Sequence, residues 1–378
     1  MKSVVIAGYA RSPFHLAHKG ALARVRPDDL AAEVVRALVE RSGLEPALIE
    51  DLIVGCAFPE AEQGFNVARL IGLIAGLPLS VGGMTVNRFC GSSMSGVHYA
   101  AGQIQLGAGE AFLCAGVESM SRVPMTGFNP MPNPALAARS PAYIAMGDTA
   151  ENVAGKFGID RAAQEAFAVA SQQKAGAAQA AGKLKDEIVP IPTKGGLIEA
   201  DGTLRPDTTA EALASLKPAF SAEGSVTAGT SSPLTDGASC VLVTSEDFAR
   251  SHGLPIMARV VGVAISGCAP EIMGIGPVEA SRKAMARAGI EPDQLDVVEL
   301  NEAFASQAIA CIEQLGLNPA TVNIDGGAIA IGHPLGATGA RIVGKAAQIL
   351  QRDGGKYALA TQCIGGGQGI ATVLEAVR

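Results

Sequence analysis

Gly43-Leu44-Glu45-Pro46 ends a helix-like stretch that begins near Leu30 and leads into an apolar run, Asp51 to Cys56. The same order returns 246 positions later: Val278 opens a helix-like stretch, Gly289-Ile290-Glu291-Pro292 breaks it, and Leu295 to Leu300 follows. Glycine suits the left-handed end of a helix, and proline stops its continuation. Beyond each break the two copies stay in step. The first continues with a strand-like Met84 to Cys90, a Gly/Ala-rich helix Ser92 to Leu106 and an apolar strand Ala111 to Ala115. The second continues with Thr321 to Ile324, Ala337 to Leu350 and Tyr357 to Gln362. Alternating helices and strands predict an α/β fold with mostly parallel strands, built as an internal repeat. Between the copies the composition changes: Val123 to Pro141 reads as loop, Thr149 to Ala181 as helix, and Ile188 to Pro206 as irregular chain. This divides the protein into a first half (1–117 with 246–268), an inserted loop domain (118–245) and a second half (269–378).

Composition narrows the function. The 378 residues carry 46 Gly, no Trp, 11 Phe and 4 Tyr, so the core packs with small and aliphatic side chains whose backbones approach closely. An apolar fraction of 48% excludes disorder. A formal charge of −7 and the absence of a basic block argue against nucleic acid as a partner. Seven cysteines, an odd number without CxxC spacing, point to free thiols in a reducing cytoplasm rather than to disulfides or structural zinc. Neither a signal peptide nor a membrane span is expected, since Met1 to Tyr9 lacks the former's layout and no apolar run approaches 18 residues.

Three residues stand where strands give way to glycine-rich turns. Cys90 precedes Gly91-Ser92-Ser93 at a helix start, where the positive end of a helix favours thiolate; a buried packing cysteine is the alternative. His333 lies in Gly332-His333-Pro334-Leu335-Gly336, a loop that lets backbone approach a ligand, though a lone loop histidine can also be structural. Cys363 precedes Gly365-Gly366-Gly367, where backbone N–H groups can converge on an anion, or where the cysteine merely packs. Two thiols and an imidazole favour acyl transfer through a thioester. No GxGxxG follows the first strand, no Walker A motif is present, and His333 lacks neighbouring ligands at metal spacing, so neither a nucleotide cofactor nor a metal is expected.

With these stretches in hand the chain resembles the thiolase family over essentially its whole length. The match rests on Asn87-Arg88-Phe89-Cys90-Gly91-Ser92-Ser93-Met94, Asn301-Glu302-Ala303-Phe304-Ala305, Gly332 to Gly336 and Cys363 to Gly367, supported by Thr149 to Ala154 and Thr227 to Ser232. The resemblance implies a five-layered αβαβα fold of two similar halves with an inserted loop domain that holds coenzyme A. It implies Cys90 as acyl-accepting nucleophile, Cys363 as acid/base, and His333 as the group that activates Cys90 and, with a water held by Asn301, stabilises an enolate oxygen. The N–H groups of Cys90 and Gly365 correspond to the oxyanion hole of the acyl-enzyme, where one donor typically contributes about 3–4 kcal/mol. For coenzyme A it implies Ser232 on the pantetheine arm, apolar walls from Ala219, Phe220, Ala228 and Leu234, and Met146 beside them. Arg205 takes the place of an arginine near the adenine nucleotide, with a solvated loop arginine as the alternative.

Departures sharpen the expectation. Ala145 stands where short-chain biosynthetic members carry His, and Arg11-Ser12-Pro13-Phe14-His15 replaces a motif richer in Thr and Gly. Together with Leu204 to Thr209, these favour a degradative 3-ketoacyl-CoA thiolase that cleaves 3-ketoacyl-CoA with CoA in fatty acid β-oxidation. Acetoacetyl-CoA formation from two acetyl-CoA is the alternative within the family, and a non-catalytic lipid- or CoA-binding protein the alternative outside it. A homodimer or homotetramer is expected, with a hydratase/dehydrogenase subunit as a further partner in some members.

Overall fold

Strand side chains point alternately to opposite faces, and here the two faces meet different helix layers. The computed structural model describes residues 2–377. Its longer strands are β1 (Val4–Arg11), β2 (Asp51–Gly55), β3 (Gly82–Val86), β4 (Ala111–Ser119), β5 (Thr235–Ser245), β6 (Ala258–Gly267), β7 (Val297–Leu300), β8 (Tyr357–Ile364) and β9 (Gln368–Glu375). The longer helices are α1 (Pro27–Ser42), α2 (Val67–Ile74), α3 (Ser92–Leu106), α4 (Met146–Phe157), α5 (Arg161–Ala180), α6 (Gly276–Ala288), α7 (Ala305–Leu315) and α8 (Leu335–Asp353).

Leu52, Val54, Leu113, Ala115 and Leu242 pack with Leu30, Val34 and Val35 of α1 and Ile71 of α2. Their neighbours Ile53, Phe112, Cys114, Val241 and Val243 face the other way, onto Val97 and Ile104 of α3 and Ile342 and Val343 of α8. In the second half Ala358, Ala360 and Leu374 face the same central pair of helices. Leu359, Ala371 and Val373 instead meet Ala284 of α6 and Cys311 of α7. The result is the expected αβαβα succession: α1/α2, strands, α3/α8, strands, α6/α7.

The strand orders of the halves correspond. The first runs β3-β2-β4-β5-β1 and the second β7-β8-β9-β6, joined by three antiparallel pairs from Val4–Val260 to Ile6–Ala258. β2 is parallel to β3 and β4, β7 is parallel to β8, and the other neighbours are antiparallel. The strand expected at Thr321 to Ile324 contracts to one parallel bridge between Val298 and Val322. Asn323, at φ 46°, turns its side chain back to accept the Leu300 N–H and donate to the Leu300 carbonyl, which ends the pairing.

Two boundaries read from the sequence move. β6, grouped with the first half, is paired along its length with β9 and only by three residues with β1, so it is the counterpart of β1 in the second half. Likewise β5 and the end of β4 belong to the central sheet, which leaves the insertion between Ser119 and Thr235. That insertion is anchored by buried charge. Arg11 donates to Glu187 at 2.6 Å and to both oxygens of Asp201 at 2.6 and 2.8 Å, and Lys345 of α8 reaches Glu187 and Asp325 at 2.9 Å. Burial pushes the Glu187 carboxyl up, but Lys345 and Arg11 outweigh it and hold the group below its ordinary value. Arg11 thus ties the insertion to the core.

Small residues let the central helices touch the strand ends directly. A Cβ on Gly116 would lie 2.1 Å from the Gly336 carbonyl oxygen, and one on Gly339 would lie 2.3 Å from the Met94 nitrogen. Backbone cannot yield as a flexible side chain does, so Gly116→Ala is expected to lose about 3 kcal/mol of stability by overpacking. Gly155 in α4 has open space around it, and Gly155→Ala should gain about 0.5–1 kcal/mol from helix propensity alone. Chemical denaturation of the two variants checks this contrast.

Candidate active site

The turn between β3 and α3 presents Cys90. Phe89 is held at φ 44°, an uncommon conformation for an aromatic residue, while Asn87 Oδ1 accepts its N–H at 2.8 Å and Ser92 Oγ donates to its carbonyl at 2.6 Å. Gln362 Nε2 donates to the Cys90 carbonyl and so links this turn to β8. The half-buried Cys90 packs with Leu335 and Met120. The backbone N–H groups of Gly365 and of Cys90 itself act on its thiol in the direction that favours the charged form.

His333 comes from the loop ahead of α8 and is 5% exposed. Its N–H donates to Thr235 Oγ1 at 3.2 Å, its Nδ1 lies 2.6 Å from Thr338 Oγ1, and its Nε2 lies 3.4 Å from Asn301 Nδ2. Two buried carboxylates fix the loop on either side. Glu118 at the end of β4 accepts the N–H groups of Ala57, Phe58 and Gly336 and the Gln63 amide. Glu302 accepts from Ser171, Asn323 and the Ile329 N–H. Cys363, 1% exposed at the end of β8, packs in one apolar cluster with Met273, Ala303, Phe304 and the half-buried Met146. Glycines 366 and 367, at φ 81° and 84°, make the tight reversal into β9 that leaves Gly365 facing Cys90.

The structure therefore brings Cys90, Gly365 and Cys363 together and sets His333 beside Asn301. Of the residues carried over for coenzyme A, several border the Ala303-Phe304 segment. Phe220, 44% exposed, meets Phe304 edge-on at 5.9 Å, and Ser232 donates its N–H to the Ala303 carbonyl at 3.0 Å. Ala219, Ala228 and Leu234 are exposed nearby in the chain, and Met146 Sδ would lie 3.4 Å from a Cβ on Gly365. Arg205 is held through its backbone N–H, which donates to Gln172 at 2.7 Å, and its exposed guanidinium makes no hydrogen bond among the described residues. A separate cavity of about 270 Å³, lined by Phe167, Lys174, Ile309 and Ile312, takes in none of the catalytic candidates. Glu118, Thr338 and Gln362 are not singled out by the motifs. Glu118 did carry a signal, as the lone carboxylate ending an otherwise apolar strand.

Electrostatics set the resting state. Burial pushes the Cys90 thiol up to about 12, against the pull of the two N–H groups on its sulfur. Burial, and then Arg341, bring His333 down to about 3. Burial also raises Cys363. Burial thus opposes the thiolate that the start of α3 favours. At neutral pH these residues are two thiols and a neutral imidazole.

Comparison with known proteins fits this arrangement. The thiolase N-terminal domain matches residues 4–247 and the thiolase C-terminal domain residues 254–376. The chain belongs to the thiolase family. The 3-ketoacyl-CoA thiolase of Bacillus subtilis (strain 168) is 47% identical over 99% of this chain and the whole of that protein. That of Shewanella denitrificans is 48% identical over the full length of both. Human mitochondrial 3-ketoacyl-CoA thiolase, solved in complex with CoA, superposes with a TM-score of 0.91 at 37% identity, covering 100% of this chain and 98% of that one. The thiolase architecture accounts for the repeat, the insertion and the glycine-rich turns together. Among the described residues no cluster of His, Cys, Asp or Glu could hold a metal ion, and no helix is long and apolar enough to cross a membrane.

A neutral resting thiol has a measurable consequence. Alkylation of Cys90 by iodoacetamide in the free thiolase should accelerate as pH is raised through 9 and above, when its thiolate first becomes populated. A rate already at its plateau at pH 6 would instead reveal a resting thiolate–imidazolium pair.

Proposed function

We propose that this thiolase cleaves 3-ketoacyl-CoA with coenzyme A, giving acetyl-CoA and a shortened acyl-CoA. The observation that carries the reading is the link from the Cys90 turn to the strand that ends in a second buried thiol, Cys363, made where Gln362 donates to the Cys90 carbonyl. His333 Nε2 takes the Cys90 proton, and the sulfur attacks the 3-keto carbon. The C2–C3 bond breaks, leaving an acyl thioester on Cys90 and an acetyl-CoA enolate beside His333 and Asn301. Cys363 delivers its proton to that enolate. Its thiolate then takes the proton of incoming CoA, whose sulfur attacks the acyl thioester; Cys90 leaves and recovers its proton from His333. The N–H groups of Cys90 and Gly365 would hold the acyl oxygen, and Met146, Phe220, Phe304 and Ser232 would form the wall along which pantetheine lies.

Ala145, exposed at the start of α4 and contributing no side-chain hydrogen bond there, fits a site open to longer acyl chains. This favours a degradative role in fatty acid breakdown over condensation of two acetyl-CoA. Cys90→Ser should abolish thiolysis. Cys363→Ala should still accept a labelled acetyl group from acetyl-CoA on Cys90 while turnover falls by about 10³-fold or more. Absence of label on Cys90 would favour a binding protein instead. A substrate series separates the two reactions: thiolysis of six- to ten-carbon 3-ketoacyl-CoA is expected, and restriction to acetoacetyl-CoA would overturn the degradative assignment.

Seven free cysteines suit a reducing cytoplasm. A homo-oligomer fits the first half's outer edge, where β3 ends the sheet and Phe65, Leu79 and Leu106 are 95%, 80% and 81% exposed. An uncovered edge flanked by apolar side chains favours association with a second copy. Light scattering should give at least a dimer, and a monomeric mass would remove this reading.

A further inference from the structure

Thr338 is fully buried in the first turn of α8, five residues beyond His333. Its hydroxyl oxygen lies 2.6 Å from His333 Nδ1 and 3.1 Å from the Pro334 carbonyl, the residue four positions earlier in the helix. A threonine hydroxyl has a single proton, and the Pro334 carbonyl can only accept it. With that proton directed to Pro334, the oxygen is left to accept, and Nδ1 must carry the hydrogen that fills it. This is the arrangement in which the hydroxyl makes both of its bonds. If the hydroxyl donated to the ring instead, the Pro334 carbonyl would keep the Ala337 and Thr338 N–H groups, but the buried hydroxyl oxygen would accept from no described donor.

Fixing hydrogen on Nδ1 leaves Nε2 with its lone pair. The group facing Nε2 is Asn301 Nδ2 at 3.4 Å, an N–H donor, so the same choice settles which way the Asn301 amide points. Asn301 Oδ1 is then turned elsewhere as a buried acceptor without a protein partner. One hydroxyl thereby orders a chain from the Pro334 carbonyl through Thr338 and His333 to Asn301. We infer that Thr338 is a positioning residue that selects the His333 tautomer with Nε2 unprotonated, the form able to receive the Cys90 proton. Its catalytic consequence rests on the function proposed above, whereas the tautomer itself does not.

Nitrogen-15 NMR of histidine-labelled thiolase, with His333 assigned by substitution, tests the tautomer without any substrate. The expected spectrum has a protonated Nδ1 and an unprotonated Nε2 for His333, in the wild type and in Thr338→Ser. Thr338→Val, close in shape but without the hydroxyl, should lose this pattern and lower kcat for thiolysis by about 10- to 100-fold with little change in KM. That range corresponds to leaving one buried donor unpaired. Thr338→Ser should restore most of the activity. A wild-type His333 protonated on Nε2 would overturn the inference even if the valine variant did not fold. So would a valine variant with unchanged spectrum and kcat, or a serine variant as impaired as valine. The expected NMR pattern in a protein without thiolysis would uphold the tautomer and count against the function.

Discussion

Backbone packs directly against backbone where the first turns of α3 and α8 meet each other and the ends of β2 and β4. A Cβ on Gly55 would stand 2.3 Å from the Ser93 nitrogen, and one on Gly336 would stand 2.6 Å from the carbonyls of Gly55 and Val117. Ser93 Oγ accepts the Ala340 N–H at 2.8 Å across the same crossing. The two helices begin just after Cys90 and just after His333, so their approach fixes how near those loops can come. Side chains at this crossing would separate the thiol from the imidazole. The glycine surplus and the scarcity of large aromatics are therefore two sides of one requirement: the central layer must be thin where the chemistry is.

Thinness also has an electrostatic consequence. A site enclosed by strands and two central helices strips water from every ionisable group, which raises thiols and lowers imidazoles. Glu118 remains tolerable there because four N–H donors converge on it, although burial still leaves its carboxyl above the ordinary value. The Arg11–Glu187–Lys345–Asp325 cluster solves the same problem differently, by pairing opposite charges in the interior. Removing one partner from such a cluster would leave a buried charge unmatched, a loss of about 3–5 kcal/mol. Since Glu187 and Asp201 belong to the insertion and Lys345 to α8, this cluster fixes the insertion to the helix that follows His333.

The repeat, the alternation of helices and strands and the three glycine-rich turns were legible because each has a local cause: helix ends at Gly-x-Glu-Pro, short apolar runs, and clustered glycines, while the αβαβα layering followed from the thiolase resemblance. What escaped the sequence was non-local. That Thr321 to Ile324 would not extend as a strand depended on Asn323 bonding back to Leu300, and that β6 belongs with the second half depended on its pairing with β9. The role of Glu118 needed four donors from three places in the chain: Ala57 and Phe58, Gln63, and Gly336. Thr338 lies only five residues from His333, but its value depends on a helix beginning at Leu335 and returning its hydroxyl over the ring. Arg205, nominated by motif spacing, presents a guanidinium that makes no hydrogen bond among the described residues.

These constraints favour a reaction that starts from uncharged groups. A preformed thiolate and imidazolium would need solvation that the central layer does not supply, whereas a neutral thiol beside a neutral imidazole needs none. Charge would then appear only when an acceptor for it is present, as a carbonyl oxygen arrives in front of the Cys90 and Gly365 N–H groups. Cys363 obeys the same logic in the opposite sense. In the proposed reaction its raised pKa would keep the proton on sulfur until a carbanion strong enough to remove it formed alongside. On that proposal, the burial that opposes thiolate at rest would also order the proton transfers during turnover.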